Sequence, residues 1–181
     1  MADTSNGLLY GLAELLFKKH GGGQQEKTFG WIDENGLQPA GNEPQFLDVY
    51  AAQVTDGPVE SIQQNPGSDA FTLNLIRWKA QELVDIFGGK AEADGSYTPP
   101  ENFTTSGVLT IKMHSGHSFR VFNARLTKTT FQNGLNMQGV LGFGIRVDML
   151  KPTDGKGRRW RSYPPGVEPD TSDSTADADS E

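Results

Sequence analysis

Five apolar residues, Leu141, Phe143, Ile145, Val147 and Met149, recur at strict period two, and between them stand Val140, Gly142, Gly144, Arg146 and Asp148. Successive side chains of a strand point to opposite faces, so this spacing predicts a half-buried strand. The glycine pair strips side chains from one face, which suits a bend, a bulge or close approach of another backbone. Two further strand-like runs, VLTIKMH and HSFRVFNARL, flank Ser115-Gly116. A two-residue loop containing glycine between such runs predicts a β-hairpin. Phe71, Leu73 and Leu75 alternate with Thr72 and Asn74 in another strand. EPQFLDVYAAQV reads as one more, and TFGWI as a short one ending at the turn Asp33-Glu34-Asn35-Gly36.

Helical spacing is clear in one place. In LIRWKAQELVDIFGG the residues Ile76, Ala80, Leu83, Val84 and Phe87 share a face, and Gly88-Gly89 supplies the stop. A helix is therefore expected near 76–87. LLYGLAELLFKKHGGG has a helix-like composition, but Gly11 sits inside it. Leu12, Glu14, Leu16 and Lys18 against Ala13, Leu15 and Phe17 read instead as a strand, running into the loop His20-Gly21-Gly22-Gly23. Six to eight strands and one helix predict a mainly β fold over residues 1–150, a largely antiparallel sandwich or barrel with one α-helix packed on it.

Composition narrows the function classes. The 181 residues include no cysteine, so disulfides, cysteine-ligated zinc, iron–sulfur clusters and cysteine nucleophiles are excluded. A chain of this length buries roughly 70% of its unfolded surface and needs no such staple. No apolar run approaches the roughly 18 residues of a membrane span. The start MADTSNG carries no positive charge, and the apolar patch after it contains Glu14 and ends in Lys18-Lys19, so no signal peptide and no membrane partner are expected.

The net charge of −7 is unevenly placed. Residues 168–181 hold six acids and no base, leaving 17 acids against 16 bases in residues 1–167. Glu168, Asp170, Asp173, Asp177, Asp179 and Glu181 alternate with small polar residues in a stretch too poor in apolar side chains to fold alone, an expected disordered acidic tail. Before it, residues 151–167 form a basic Gly/Pro-rich segment, expected to be an arm and not a regular element.

Candidate chemistry is sparse. His114 and His117 would be direct cross-strand neighbours about a two-residue loop and could offer two metal ligands. A site needs three or four, so a polar pair at an exposed hairpin tip is the expected role. Gly142-Phe-Gly144 mimics half of a dinucleotide fingerprint, but it lies within a strand where a strand-to-helix turn is required. Gly88-Gly89-Lys90 follows a helix instead of opening one. No nucleophile elbow or zinc-ligand spacing occurs, so no catalytic residue, cofactor or metal is expected. Cations interleaved with an aromatic can bind nucleic acid, and Arg158-Arg159-Trp160-Arg161 is the best such stretch. The acidic tail a few residues on would compete for it. Lys156, Arg158, Arg159, Trp160 and Arg161 are therefore assigned to contact with an acidic patch on a neighbouring subunit.

The order of these signals is distinctive: LLYGLAELLFKK, TFGWIDENGLQPAGNEP, FLDVYAAQV, FTLNLI, RWKAQELVDIFGG, and a closing block from SGVLTIKMH to GFGIRVDML. Over residues 7–150 the chain resembles the tail tube (major tail) proteins of long-tailed bacteriophages. The resemblance implies a β-barrel or sandwich with one flanking helix, assembling into hexameric rings that stack into a hollow tube for DNA. It implies sheets joined between neighbours, with loops and terminal arms reaching the next ring. Further copies of the chain and other tail proteins would be partners, DNA would pass transiently through the lumen, and the protein would be made in the bacterial cytoplasm and reside in the virion tail. An alternative is a phage or bacterial binding module, a capsid decoration or carbohydrate-binding sandwich with Trp31, Trp78, Trp160 or Tyr97 as stacking platform. A third is a metal-dependent enzyme built on His114 and His117.

Overall fold

A computed structural model describes residues 7–21, 25–134, 139–152 and 157–169. Lys156 and the acidic tail beyond Pro169 lie outside the described residues. In chain order the elements are β1 (Leu12–Lys19), β2 (Lys27–Thr28), β3 (Trp31–Ile32), β4 (Gln38–Pro39), β5 (Gln45–Val49), β6 (Glu60–Asn65), β7 (Ala70–Arg77), α1 (Ala80–Phe87), β8 (Lys90–Ala91), β9 (Tyr97–Thr98), β10 (Thr104–Met113), β11 (Ser118–Gln132), β12 (Gly142–Met149) and β13 (Trp160–Tyr163). The fold is mainly β, with antiparallel sheets and a single helix among the described residues.

Nine strands form one sheet in the order β2-β1-β10-β11-β12-β7-β3, with β13 added to β11 and β4 to β7. TFGWI, expected as one strand, divides between the two edges of this sheet. Lys27 and Thr28 pair with Phe17 and Leu16 of β1, whereas Trp31 and Ile32 pair with Arg77 and Leu75 of β7. The ladder thus closes on itself through residues 27–32, which removes most of the free edge an open sheet would present. Gly30 stands at the crossover, where a Cβ would collide with the Arg77 carbonyl.

The period-two faces point where their spacing demands. Leu15, Phe17, Leu73, Leu75, Leu109, Ile111, Val121, Leu126, Phe143, Ile145 and Val147 are buried in one cluster with Leu83, Ile86 and Phe87 of the helix. Gly144 is the close approach that its missing side chain allowed. Thr129 and Thr130 of β11 together oppose this one residue, a bulge whose atoms occupy the space a Cβ would need.

Two local expectations are corrected. The helix starts at Ala80, not near residue 76, because Ile76 continues the alternation of β7 and Lys79 is extended (φ −99°, ψ 151°). The Lys79 N–H donates to Glu82 Oε2 at 3.0 Å, which satisfies one orphan group of the first turn. Its buried face is Leu83, Ile86 and Phe87, with Val84 only half-buried, since Phe87 reaches the rings of Phe103 and Phe143. The stop is as expected: the Gly88 N–H donates to the Val84 carbonyl at 2.8 Å.

The hairpin loop has three residues, His114, Ser115 and Gly116, instead of two. Met113 exchanges backbone hydrogen bonds with Gly116 and His117, and Gly116 takes φ +82°. A type I turn followed by a left-handed glycine makes this loop, and it sets His117 opposite Met113.

Candidate assembly surface

The segment read as an arm carries a regular element. Trp160, Arg161, Ser162 and Tyr163 pair with Val121, Arg120, Phe119 and Ser118, along the part of β11 that β12 leaves uncovered. Glycine, proline and charge argued against a strand, but an edge strand tolerates charges well, and here they lie over aromatic rings. The Arg158 guanidinium is 4.8 Å from the Phe122 ring centre, and that of Arg161 is 5.1 Å from Tyr163. The Trp160 ring stacks on Phe119 at 5.0 Å and 28°, yet remains 48% exposed. Tyr163 is buried, and Arg159, half-buried, accepts a backbone hydrogen bond from Phe122. Four of the five residues assigned to subunit contact therefore sit on the sheet of their own chain; Lys156 lies outside the described residues.

The β11 strand also holds Arg120, which is 1% exposed on the face away from the main core. Its Nη2 lies 3.4 Å from Glu26 Oε1, to which Thr110 Oγ1 also donates at 3.4 Å. Further along the sheet, Asp148 accepts from Arg125 Nη2 at 2.9 Å and from Arg146 Nε at 2.8 Å. Burial opposes ionisation of Asp148, but the hydrogen bonds from Arg146 and Arg125, reinforced by their charges, outweigh it and hold the carboxyl below its usual range. A depressed folded-state pKa stabilises the fold above the ordinary carboxylate range and loses that effect as pH falls through the folded value. Asp148→Asn is expected to lower the melting temperature at neutral pH and to flatten its decline on acidification from about pH 5 to about pH 2. An unchanged acid slope in thermal melts would refute the assignment.

Outside the barrel stands a ribbon that sequence reasoning saw only in half. EPQFLDVYAAQV contributes β5, as expected, but its partner β6 carries no clear alternation. Leu47 faces Ile62 and Val49 faces Glu60 across the pair. All eleven residues of β5 and β6 are exposed, and Phe46, Leu47, Val49, Tyr50, Val54, Val59 and Ile62 present large apolar side chains to solvent. The signal was present as charge: residues 38–76 hold five acids (Glu43, Asp48, Asp56, Glu60 and Asp69) and no Lys or Arg. At the ribbon's foot Asn42 bridges Ser68, and a cleft of about 480 Å³ runs between Pro44, Asp69, Phe71, Phe119, Met149 and Trp160.

The histidines are not brought together. His117 is buried, with Nδ1 3.1 Å from Ser115 Oγ, whereas His114 is exposed and its backbone N–H donates to the Gly11 carbonyl at 2.8 Å. The three-residue loop is the reason, since it displaces His117 from the position opposite His114. Among the described residues no group of three or more His, Asp or Glu side chains could hold a metal ion.

Of the aromatic platform candidates, Tyr97 donates its hydroxyl to the Gly88 carbonyl at 2.8 Å, and burial raises its pKa. Trp78 leans on Phe143 at 5.9 Å. Trp31 is 62% exposed beneath the Arg77 guanidinium, 4.4 Å away, in an open groove of about 1050 Å³ that Tyr10, Asp33, Asn35 and Leu37 also line. No protein-family model matches this sequence, and no curated protein matches it.

Proposed function

We propose that this chain is a virion structural protein, the subunit of a phage tail tube, which self-assembles into stacked hexameric rings around a conduit for DNA. The observation that carries the reading is the β5–β6 ribbon, whose apolar side chains stand in water outside a barrel that already has its own core. A lone two-stranded hairpin is marginal in water, and contiguous exposed apolar surface marks an interaction site. Copies that join through unlike surfaces form rings if the rotation closes and filaments if it does not. Other tail proteins and transiting DNA are the further partners, and the virion tail is the location. A body with net charge −1 over residues 1–167 suits DNA passage without strong phosphate binding. The reading gives no residue a catalytic role and requires no cofactor.

A second reading, a non-enzymatic binding module for glycans or a capsid surface, is favoured by Trp31 in its open groove. Negative-stain electron microscopy of the concentrated protein separates the two. Hollow rings or tubes are the expected result. Uniform monomers that bind a glycan array, with binding lost in Trp31→Ala, would put the module first.

A further inference from the structure

We infer that the β5–β6 ribbon of one copy seats on the β13 edge of another, its acidic apolar surface meeting the cationic strand around Arg159, Trp160 and Arg161. This inference rests on the assembly reading and names the two surfaces that would join.

Residues 38–76, which include the ribbon, carry five acids and no base. Residues 151–167, which include β13, carry Lys151, Lys156, Arg158, Arg159 and Arg161 against Asp154 alone. The two segments are thus oppositely charged parts of a body that is close to neutral, and complementary patches steer and register association. Each also offers apolar area beside its charge. The ribbon has Phe46, Leu47, Val49 and Ile62, and the β13 edge has the half-exposed Trp160 stacked on Phe119. Aromatic and arginine side chains are the commonest anchors of protein interfaces.

The occupant is a second copy because no described residue of the chain covers the ribbon: every residue of β5 and β6 is exposed. An acidic ribbon repels nucleic-acid phosphate and anionic lipid alike. It fits a surface with cations around an aromatic, and β13 is such a surface on this chain. Among the described residues β13 pairs only with β11. The surface that inserts differs from the surface that receives. Repetition therefore propagates from copy to copy and does not stop at a two-fold dimer.

Charge reversal tests this directly. One variant carries Asp56→Lys and Glu60→Lys on the ribbon, and a second carries Arg161→Glu on β13 and Arg159→Glu just before it. Assembly is read by sedimentation velocity and electron microscopy, with circular dichroism to confirm that each variant folds. Each variant alone is expected to lose assembly by about tenfold or more, since like charges then face each other across the contact. Mixing the two variants is expected to restore it, because each reversed ribbon then meets a reversed strand and each native ribbon a native one. Assembly of either variant alone at the wild-type level would overturn the pairing while leaving the assembly reading intact. Loss in both variants without rescue on mixing would overturn it equally. A wild-type protein that stays monomeric under all conditions would overturn the assembly reading, and this pairing with it.

Discussion

Phe143→Ala is expected to cost about 3–5 kcal/mol of unfolding free energy, the range for removing a fully buried aromatic and leaving a cavity. Phe143 is buried, and its ring centre lies 5.8 Å from Phe87, 5.9 Å from Phe103, 5.9 Å from Trp78 and 6.0 Å from Phe131. Four elements or their flanks converge there: α1, the loop before β10, β7's end and the far end of β11. Loss of the ring therefore loosens the helix as well as strand β12. Denaturant unfolding followed by far-UV circular dichroism checks the size. Phe131→Ala, at a ring that is 53% exposed, is the control and is expected to cost about 1 kcal/mol or less, because little of its transfer energy is realised in the fold. Equal costs at the two positions would show that the aromatic cluster does not anchor the helix.

Glu26→Ala is the second large effect, expected at about 3 kcal/mol, because it strands a buried cation. Arg120 is 1% exposed, and its direct cross-strand partner on β13 is another cation, Arg161. Glu26, at 3.4 Å, is the acid that offsets this charge. Removing one member of a buried pair costs more than removing both, since the remaining charge has lost its water and its partner together. The double variant Glu26→Ala with Arg120→Met should therefore recover to within about 1 kcal/mol of the native protein. Additive losses in this double-mutant cycle would show that the two residues are uncoupled.

Truncation is sharpened by the same geometry. Cutting the chain at residue 150 removes β13, uncovers Ser118–Val121 of β11 and leaves Phe119 without its stacking partner. Such a deletion tests the fold together with assembly, which is why the point substitutions on β13 are the cleaner probe of subunit contact.

Much of the fold was legible from spacing. The five apolar positions of β12, the alternation of Phe71, Leu73 and Leu75, and the strand reading of Leu12–Lys19 each rest on side chains two residues apart, and backbone geometry translates that into a buried face without knowledge of the rest of the chain. Gly88 as helix stop and Gly144 as a point of close approach were equally local inferences. The helix start was misplaced because Ile76 fits the helical spacing of Ala80, Leu83 and Phe87, whereas it lies within β7 on the face opposite Leu73 and Leu75. The hairpin was found but its loop was one residue short, and that one residue parted His114 from His117.

The candidate surface was less legible, for a reason particular to edges. The regularity of β13 is not written in its own residues; Arg161 and Ser162 become strand residues because β12 leaves the first half of β11 without a neighbour on that side. Likewise, β6 is a strand because β5 lies beside it, and residues 27–32 close the barrel because β1 and β7 come within reach of the two ends of one short segment. The sequence by itself determined the β class, the helix, the faces that would be buried and the separation of charge into an acidic stretch around residues 38–76 and a basic one at 151–167. Tertiary structure alone decided that β5 and β6 of the first stretch stand free, while its ends join the main sheet, and that Trp160–Tyr163 of the second line an edge. Backbone hydrogen bonds between strands carry no sequence label, and which edge meets which depends on contacts between residues far apart in the chain.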